Sequence, residues 1–563
     1  MARDPLAGIS TLRTPQSQPI PGRQGQVKNN AGGYVFKKED RQSLEDFLVL
    51  GVSGGSYHMG QSKMVQLNSE LVLRLAREAG TEVVKLAVEM STGIPPRVPK
   101  NRGCLFALAA VSAFGDPEAV QAVKAALPQV ARTTDHLAMF FGYRKQLKGK
   151  PAAGGGVAPK SSRAFNSTLA GWFASADPDD VAFRACKARQ RKTPAGEPFA
   201  LRDAVRLGHP KKLPAEAESY REREVLLRWL AGKLTDVQAA ETLPSVAKFT
   251  RAQAVTTDAE AVEVVTELRV PWEFLPSERL SSPAVWEALA ETTGITAVIR
   301  NLARMTRIGT LKPFSPAVST VVRRLTSQEQ LAKGRVHPMD LYLALMVYKS
   351  GFSQPHSKAD PERWVPIPDV LDALEAAWEL SFGYTPPSGK RVLVAVDSSS
   401  SMTSYAQVTQ NGAQLGSAYT VANSIALMLK RVEGSNAHVI DVDLSARQSR
   451  ITRRTRLAEV QDWHSRGGGT DLALPMEYAM QYDLQVDGFV LLSDMETWAG
   501  RQHPVQALEA YRARFLPHAR FAAVAMVPNE YTLTEPGTRG VLNMAGLDSS
   551  LPVALNGFFR TGE

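Results

Sequence analysis

The spacing of apolar positions changes character once along this chain, near residue 385, and that change divides it. From Gly32 to about Ser381 apolar residues recur at helical spacing, with no sustained alternation of apolar and polar positions. Residues 69–80 form an amphipathic run that closes on a glycine, as helices commonly do. Further helices are predicted over 81–91, over 103–114 and, after a Gly-Asp break, over 117–127. Loops this short make consecutive helices antiparallel. Helix pairs that cannot bury their apolar faces alone stack into a solenoid of the HEAT type. An irregular bundle fits the spacing equally well, because no clean repeat unit is visible.

Beyond residue 385 the pattern becomes that of an open α/β sheet. Residues 392–396 are an apolar run ending in Asp397, and residues 488–492 are another, ending in Ser493 and Asp494. Such runs are buried parallel strands, and doubly wound sheets bind their ligands at the carboxyl ends of these strands. In Asp397-x-Ser399-x-Ser401 a carboxylate and two hydroxyls can converge from one tight loop. Thr470, after three glycines, and Asp494 would reach the same sheet edge. These are hard oxygen donors, and they suit Mg²⁺. With Asp494 acting through water, one position stays open for a carboxylate or phosphate from a partner. A serine-rich turn alone could equally cap the next helix, so the assignment rests on all five residues in order. This last third resembles the von Willebrand factor A domain, an α/β doubly wound Rossmann-like fold, and its metal-ion-dependent adhesion site. Ser400 stands where many such domains have glycine.

At 563 residues the chain is long enough for several domains, and 44% hydrophobic residues is ordinary for a globular protein. No apolar run is long enough to span a bilayer, and residues 1–7 lack the apolar stretch of a secretory signal, so a cytoplasmic location is expected. Residues 1–31, rich in Gln, Pro, Gly and Ser, read as a disordered arm. The division expected is thus an arm over 1–31, a helical region over 32–385 and an A-like domain over 386–563. Cys104 and Cys186 are solitary, which argues against a zinc site or a disulfide framework. Neither glycine cluster, 51–57 or 151–159, is followed by Gly-Lys-Ser/Thr, so nothing points to nucleotide hydrolysis.

The net charge of +10 is unevenly placed. From Ser388 onward there are 16 Lys and Arg against 17 Asp and Glu, leaving 50 against 39 before it. The excess concentrates in Lys187, Arg189, Arg191 and Lys192, then in Arg202, Arg206, His209, Lys211 and Lys212. Lys187 and Arg191 are four apart, and Arg202, Arg206 and His209 follow at four and three, so each set is expected on one helical face. Guanidinium forks, ammonium charges and an imidazole suit phosphates and exposed bases. A solvated helical surface is the alternative.

Several segments carry a second resemblance. Gly32-Gly-Tyr-Val-Phe36, residues 47–57, Ile299-Arg-Asn-Leu-Ala-Arg-Met-Thr306, residues 336–351 and residues 540–548 are similar to the TROVE module and closing segment of Ro ribonucleoproteins. The resemblance implies a monomeric ring of HEAT-like helices closed by the A domain. It implies Y RNA on the outer face, single-stranded ends of misfolded RNA in the central hole, and no catalytic activity. It also implies a role in RNA quality control beside a 3′-to-5′ exoribonuclease. The family's Y RNA determinants match Lys187, Arg189, Arg191, Arg206 and His209, with arginine for lysine at 189 and Gly208 for serine. Two other classes remain: a Mg²⁺-dependent scaffold that captures an acidic partner, and a metal-dependent nuclease or phosphatase. The latter fits poorly, since paired-ion phosphoryl chemistry wants clustered carboxylates.

Overall fold

The structure is a computed structural model. It describes residues 13–561 apart from 51–60, 94–96, 99–100, 148–162, 189–190, 193–197, 200, 211–218, 335, 337, 354–361, 383–386, 404–415, 528, 530 and 546–550. Both glycine clusters read from the sequence lie outside the described residues.

The four helices expected first are present as Gln61–Glu78, Gly80–Thr92, Arg102–Phe114 and Pro117–Val130. Local chemistry fixes their ends. Asp116 caps the fourth by accepting from Ala119 N at 2.8 Å, with Pro117 in the first turn where a missing N–H costs nothing. At the start of the second, a Cβ on Gly80 would lie 2.7 Å from the Ala119 Cβ, so glycine there permits close packing of two helices. Each helix packs on its next-but-one neighbour: Gly80–Thr92 on Pro117–Val130, Arg102–Phe114 on Thr134–Gln146, Pro117–Val130 on Arg163–Ser175, and that one on Leu201–Gly208. This is the stacking of a HEAT-like array, and it decides against an irregular bundle.

Four short strands interrupt the helical region as two ribbons after a first hairpin. The hairpin is β1 (Gln26–Lys28) with β2 (Tyr34–Lys37). The ribbons are β3 (Arg191–Lys192) with β4 (Pro198–Phe199), and β5 (Phe352–Ser353) with β6 (Glu362–Arg363). The C-terminal domain contributes β7 (Val392–Asp397), β8 (Ala437–Val442), β9 (Ala446–Gln448), β10 (Gly488–Ser493), β11 (Arg520–Ala525), β12 (Tyr531–Thr532) and β13 (Val541–Ala545). Its main sheet runs β13-β11-β10-β7-β8-β9, all parallel except the edge strand β9. β7 and β10 are buried at every position, since Val392, Val394 and Val396 face one core and Leu393 and Ala395 the other. The chain leaves β7 toward β8 and returns to β10 on its other side. The carboxyl ends of these two neighbours are therefore the switch point of the fold.

Both ends of the helical array seat on this domain. At one end Tyr342 Oη donates to Gln461 Oε1 at 3.1 Å, and Arg456 pairs with Asp372 and Glu375 at 2.5 and 3.0 Å. At the other, helix Asp40–Leu50 packs on β13, with Gln42 donating to the Asn543 carbonyl at 3.2 Å. A stacked array anchored on one domain at both ends is a closed ring.

The disordered arm expected over 1–31 is ordered from residue 13, while residues 1–12 lie outside the described residues. β2 pairs with β1 on one side and with β12 on the other, so this segment completes a small sheet with the C-terminal domain. Gln16 is fully buried; its amide donates to Asp471 Oδ1 at 2.7 Å and to the Gln502 carbonyl at 2.8 Å. Low apolar content misleads here because polar side chains, paired to a domain hundreds of residues away, hold the segment.

Candidate functional site

Asp397 ends β7 fully buried, and two donors orient it. Its Oδ1 accepts from Ser399 N at 2.9 Å, and its Oδ2 accepts from the Ser493 hydroxyl at 2.6 Å. Ser399 and Ser401, both buried, bring their hydroxyls to 3.1 Å of each other. Asp494 follows β10, the strand beside β7, with Ser401 near enough to favour its charged form. Its Oδ1 accepts from Glu496 N at 3.1 Å, while Oδ2 is buried without a hydrogen-bond partner. Burial first, then the charge of Asp397, pushes the Asp494 carboxyl up to about 8. Burial also raises Asp397. Two carboxylates forced together out of water, one oxygen unpaired and two hydroxyls alongside, are what a hard divalent cation would relieve. The residues fit Mg²⁺.

The loops are locked to each other. The Ser465 hydroxyl lies 2.6 and 2.7 Å from the carbonyls of Ser398 and Ser399 and can donate its one proton to either, and Gly467 N adds a bond to the Ser398 carbonyl at 3.2 Å. Ser400, the departure from glycine, accepts from Gly468 N at 2.9 Å, so its hydroxyl joins the two loops. Thr470 is buried beside the segment that carries Asp494; its carbonyl accepts from Trp498 N and Ala499 N at 3.0 and 3.1 Å. All five residues predicted from the sequence thus stand at one sheet edge. Sequence reasoning passed over Ser493 and Ser465, whose only signal was polarity beside a strand end or a glycine run. Asp443 makes a turn by accepting from Ser445 N at 2.9 Å, and His503, buried, sits at the start of helix Pro504–Arg514 with Nε2 2.8 Å from the Gln18 carbonyl.

The basic residues are arranged differently from the expectation of two helical faces. Lys187 is the last residue of helix Pro178–Lys187, whereas Arg191 and Lys192 lie on β3, so Lys187 and Arg191 share no helical face. Past the helix, residues 191–192 pair with 198–199 as a short antiparallel ribbon. Lys187 is half-buried, pairs with Glu273 at 3.2 Å and lies over the Phe183 ring at 5.4 Å. Arg202 and Arg206 are exposed one turn apart on helix Leu201–Gly208. His209, also exposed, follows with φ +45° and donates its backbone N–H to the Val205 carbonyl, a left-handed helix end without glycine. Gly208 faces inward, where a Cβ would lie 3.0 Å from Ala170 N. Arg189, Lys211 and Lys212 lie outside the described residues, and the side chains of Arg191 and Lys192 are not described.

A ring of stacked helices closed by an A-type domain defines a class, and comparison with known proteins identifies it. The Ro60 vWA domain pattern matches residues 391–559 and the TROVE domain pattern matches residues 266–365. The chain is 32% identical to the RNA-binding protein RO60 of Deinococcus radiodurans, covering 99% of each. It is 28% identical to the RNA-binding protein RO60 of Caenorhabditis elegans, covering 95% of this chain and 90% of that one. The crystal structure of the D. radiodurans RO (RSR) protein superposes with a TM-score of 0.65 at 29% identity, over 93% of this chain and 99% of that one. The chain belongs to the Ro60 family of TROVE and vWA domain proteins, which is not a family of enzymes. Among the described residues no helix is long and apolar enough to cross a membrane.

Proposed function

We propose that this protein binds small noncoding Y RNA on the outer ring surface and single-stranded ends of misfolded RNA in the central hole, as a cytoplasmic, monomeric scaffold for RNA quality control that works with a 3′-to-5′ exoribonuclease. The observation that carries this reading is the exposed Arg202, Arg206 and His209, on and just after the helix that follows the ribbon bearing Arg191 and Lys192, in a chain of the Ro60 family. Arg202 and Arg206 are exposed, no ion pair holds either one among the described residues, and each can take a phosphate as a fork. Lys187 is held by Glu273, so its charge is partly spent and the arginines dominate. Each neutralised phosphate releases condensed counterions, which makes the affinity fall with salt. Gel-shift titrations of structured RNA across a salt series test this. Lys187→Ala with Arg191→Ala should flatten the slope; equal slopes for variant and parent would count against the patch.

A second reading concerns the sheet edge, favoured by the unpaired Asp494 Oδ2. Mg²⁺ would be held by Asp397, Ser399, Ser401 and Thr470, with Asp494 in reach, and would supply a positive charge for a carboxylate or phosphate of a partner. Ser493 fixes the Asp397 carboxylate, and Ser465 fixes the loop that bears the hydroxyls. The two readings are compatible, because they occupy different domains. Asp397→Ala with Ser399→Ala should abolish partner recruitment and leave RNA binding intact, which pull-downs and gel shifts on the same variant would report.

A further inference from the structure

Large apolar side chains left in water can mark a binding surface, and two exposed ones among the described residues stand together beside the site proposed for the ion. Leu444 is 59% exposed and Trp498 is 45% exposed. They meet over Gly469: a Cβ there would lie 2.8 Å from Trp498 Cζ2 and 3.0 Å from Leu444 Cδ2. Gly469 immediately precedes Thr470, so the pair adjoins the hydroxyl expected to hold the ion.

Both side chains stand on fixed backbone. Trp498 N donates to the Thr470 carbonyl, and its neighbour Thr497 is gripped by Gln16 and by Asn29, whose amide donates to the Thr497 carbonyl at 2.6 Å. Leu444 is the tip of a turn closed from both sides, with Ser445 N donating to Asp443 Oδ1 at 2.9 Å and Asp471 N donating to the Asp443 carbonyl at 2.9 Å. A platform held this firmly loses little entropy on binding. The exposed Arg466 adjoins the glycine loop, while Arg447, also exposed, has its charge offset by Asp443 at 2.6 Å.

We propose that Leu444 and Trp498 form the apolar half of a docking surface whose other half is the proposed ion site at the carboxyl ends of β7 and β10, and that its occupant is an acidic peptide segment of a partner protein with an aromatic or branched aliphatic residue beside its Asp or Glu. The inference rests on the reading of the sheet edge as a Mg²⁺ site. The carboxylate completes the ion's coordination, the exposed Arg466 favours a further acidic residue, and the neighbouring side chain covers Leu444 and Trp498. Leu444 is what favours a peptide over a single-stranded nucleic acid, since an aliphatic wall offers a base nothing to stack on, whereas it packs well against another apolar side chain.

A random peptide library displayed on phage and selected on the full chain in Mg²⁺, with counter-selection on Asp397→Ala, tests this. The expected outcome is Mg²⁺-dependent enrichment of peptides carrying Asp or Glu next to Phe, Leu, Ile or Trp. By fluorescence anisotropy such a peptide should lose about tenfold in affinity for Trp498→Ala or Leu444→Ser, while both variants bind Mn²⁺ as the parent does. Enrichment of acidic residues with no apolar neighbour, or divalent-ion binding with no enrichment, would overturn the docking surface and leave the ion site standing. Absence of divalent-ion binding by calorimetry would remove both. Oligouridine binding lost in Trp498→Ala, without peptide enrichment, would make this a nucleic-acid surface and overturn the proposal.

Discussion

The Ser493 hydroxyl, at the end of β10, donates to the Asp397 carboxylate at the end of the adjacent β7, 2.6 Å away. Ser493 in turn accepts from Met495 N at 2.9 Å, so a chain of hydrogen bonds links the loop that follows β10 to the carboxylate expected to hold the ion. Removing that donor leaves the Asp397 carboxylate oriented by Ser399 N alone. Ser493→Ala should weaken Mg²⁺ binding by roughly tenfold or more, within the range that loss of a supporting hydrogen bond costs other metal sites. Isothermal calorimetry on variant and parent would check this, and equal affinities would show that the carboxylate needs no such support.

Proton release from the same site gives a pH dependence of defined sign. Asp494 is held up at about 8 by burial and by Asp397, against an ordinary value near 3.8. The folded ion-free protein therefore keeps a proton that the unfolded chain gives up above about pH 4. Its contribution to stability is complete below that value and is lost as pH rises through about 8. In EDTA the unfolding temperature of the parent, relative to Asp494→Asn, should decline across this window. Mg²⁺ should suppress the decline, because the ion takes the deprotonated form. Parallel curves for parent and variant in EDTA would refute the assignment.

Gln16 ties the N-terminal segment to the loops around the site. Gln16→Ala deletes its side-chain bonds to Asp471, Gln502 and Thr497 and takes a donor from a buried carboxylate that burial already pushes up to about 6. At about 1 kcal/mol for each lost bond, and more for the one to a carboxylate, a destabilisation of roughly 2–4 kcal/mol is expected. Urea unfolding would measure it. A loss below about 0.5 kcal/mol would mean that the segment only rests on the domain.

On the helical side, Arg202→Ala with Arg206→Ala removes two exposed guanidinium groups from one helix turn. If each neutralises a phosphate, the salt slope of log affinity should shrink by roughly 1.4–1.8. A gel-shift series over salt concentration reads that slope directly. An unchanged slope with weaker binding would point to a role in fold rather than in charge.

What could be read without the structure follows from the range of the interactions involved. Strands β7 and β10 were legible because a fully buried parallel strand is a continuous apolar run, and the aspartates that end them fall where such sheets bind ligands. Helix positions were legible for the same local reason. The link between Ser493 and Asp397 was not, because it joins residues whose sequence separation says nothing about strand order. The buried role of Gln16 escaped for a similar reason, since composition marks a polar segment as loose unless its remote partners are known. Lys187 and Arg191 were misplaced on one face because four-residue spacing implies a shared face only while the helix continues, and this one ends at Lys187.

The account rests on a division between cationic helices that bind RNA and a sheet edge that binds an ion and an acidic partner. The most direct test compares the RNA affinity of full-length Asp397→Ala/Ser399→Ala with that of Arg202→Ala/Arg206→Ala, in Mg²⁺ and at one fixed salt concentration. The first variant should match the parent within about twofold and the second should bind about tenfold or more weakly. An equal loss in both variants would contradict the division.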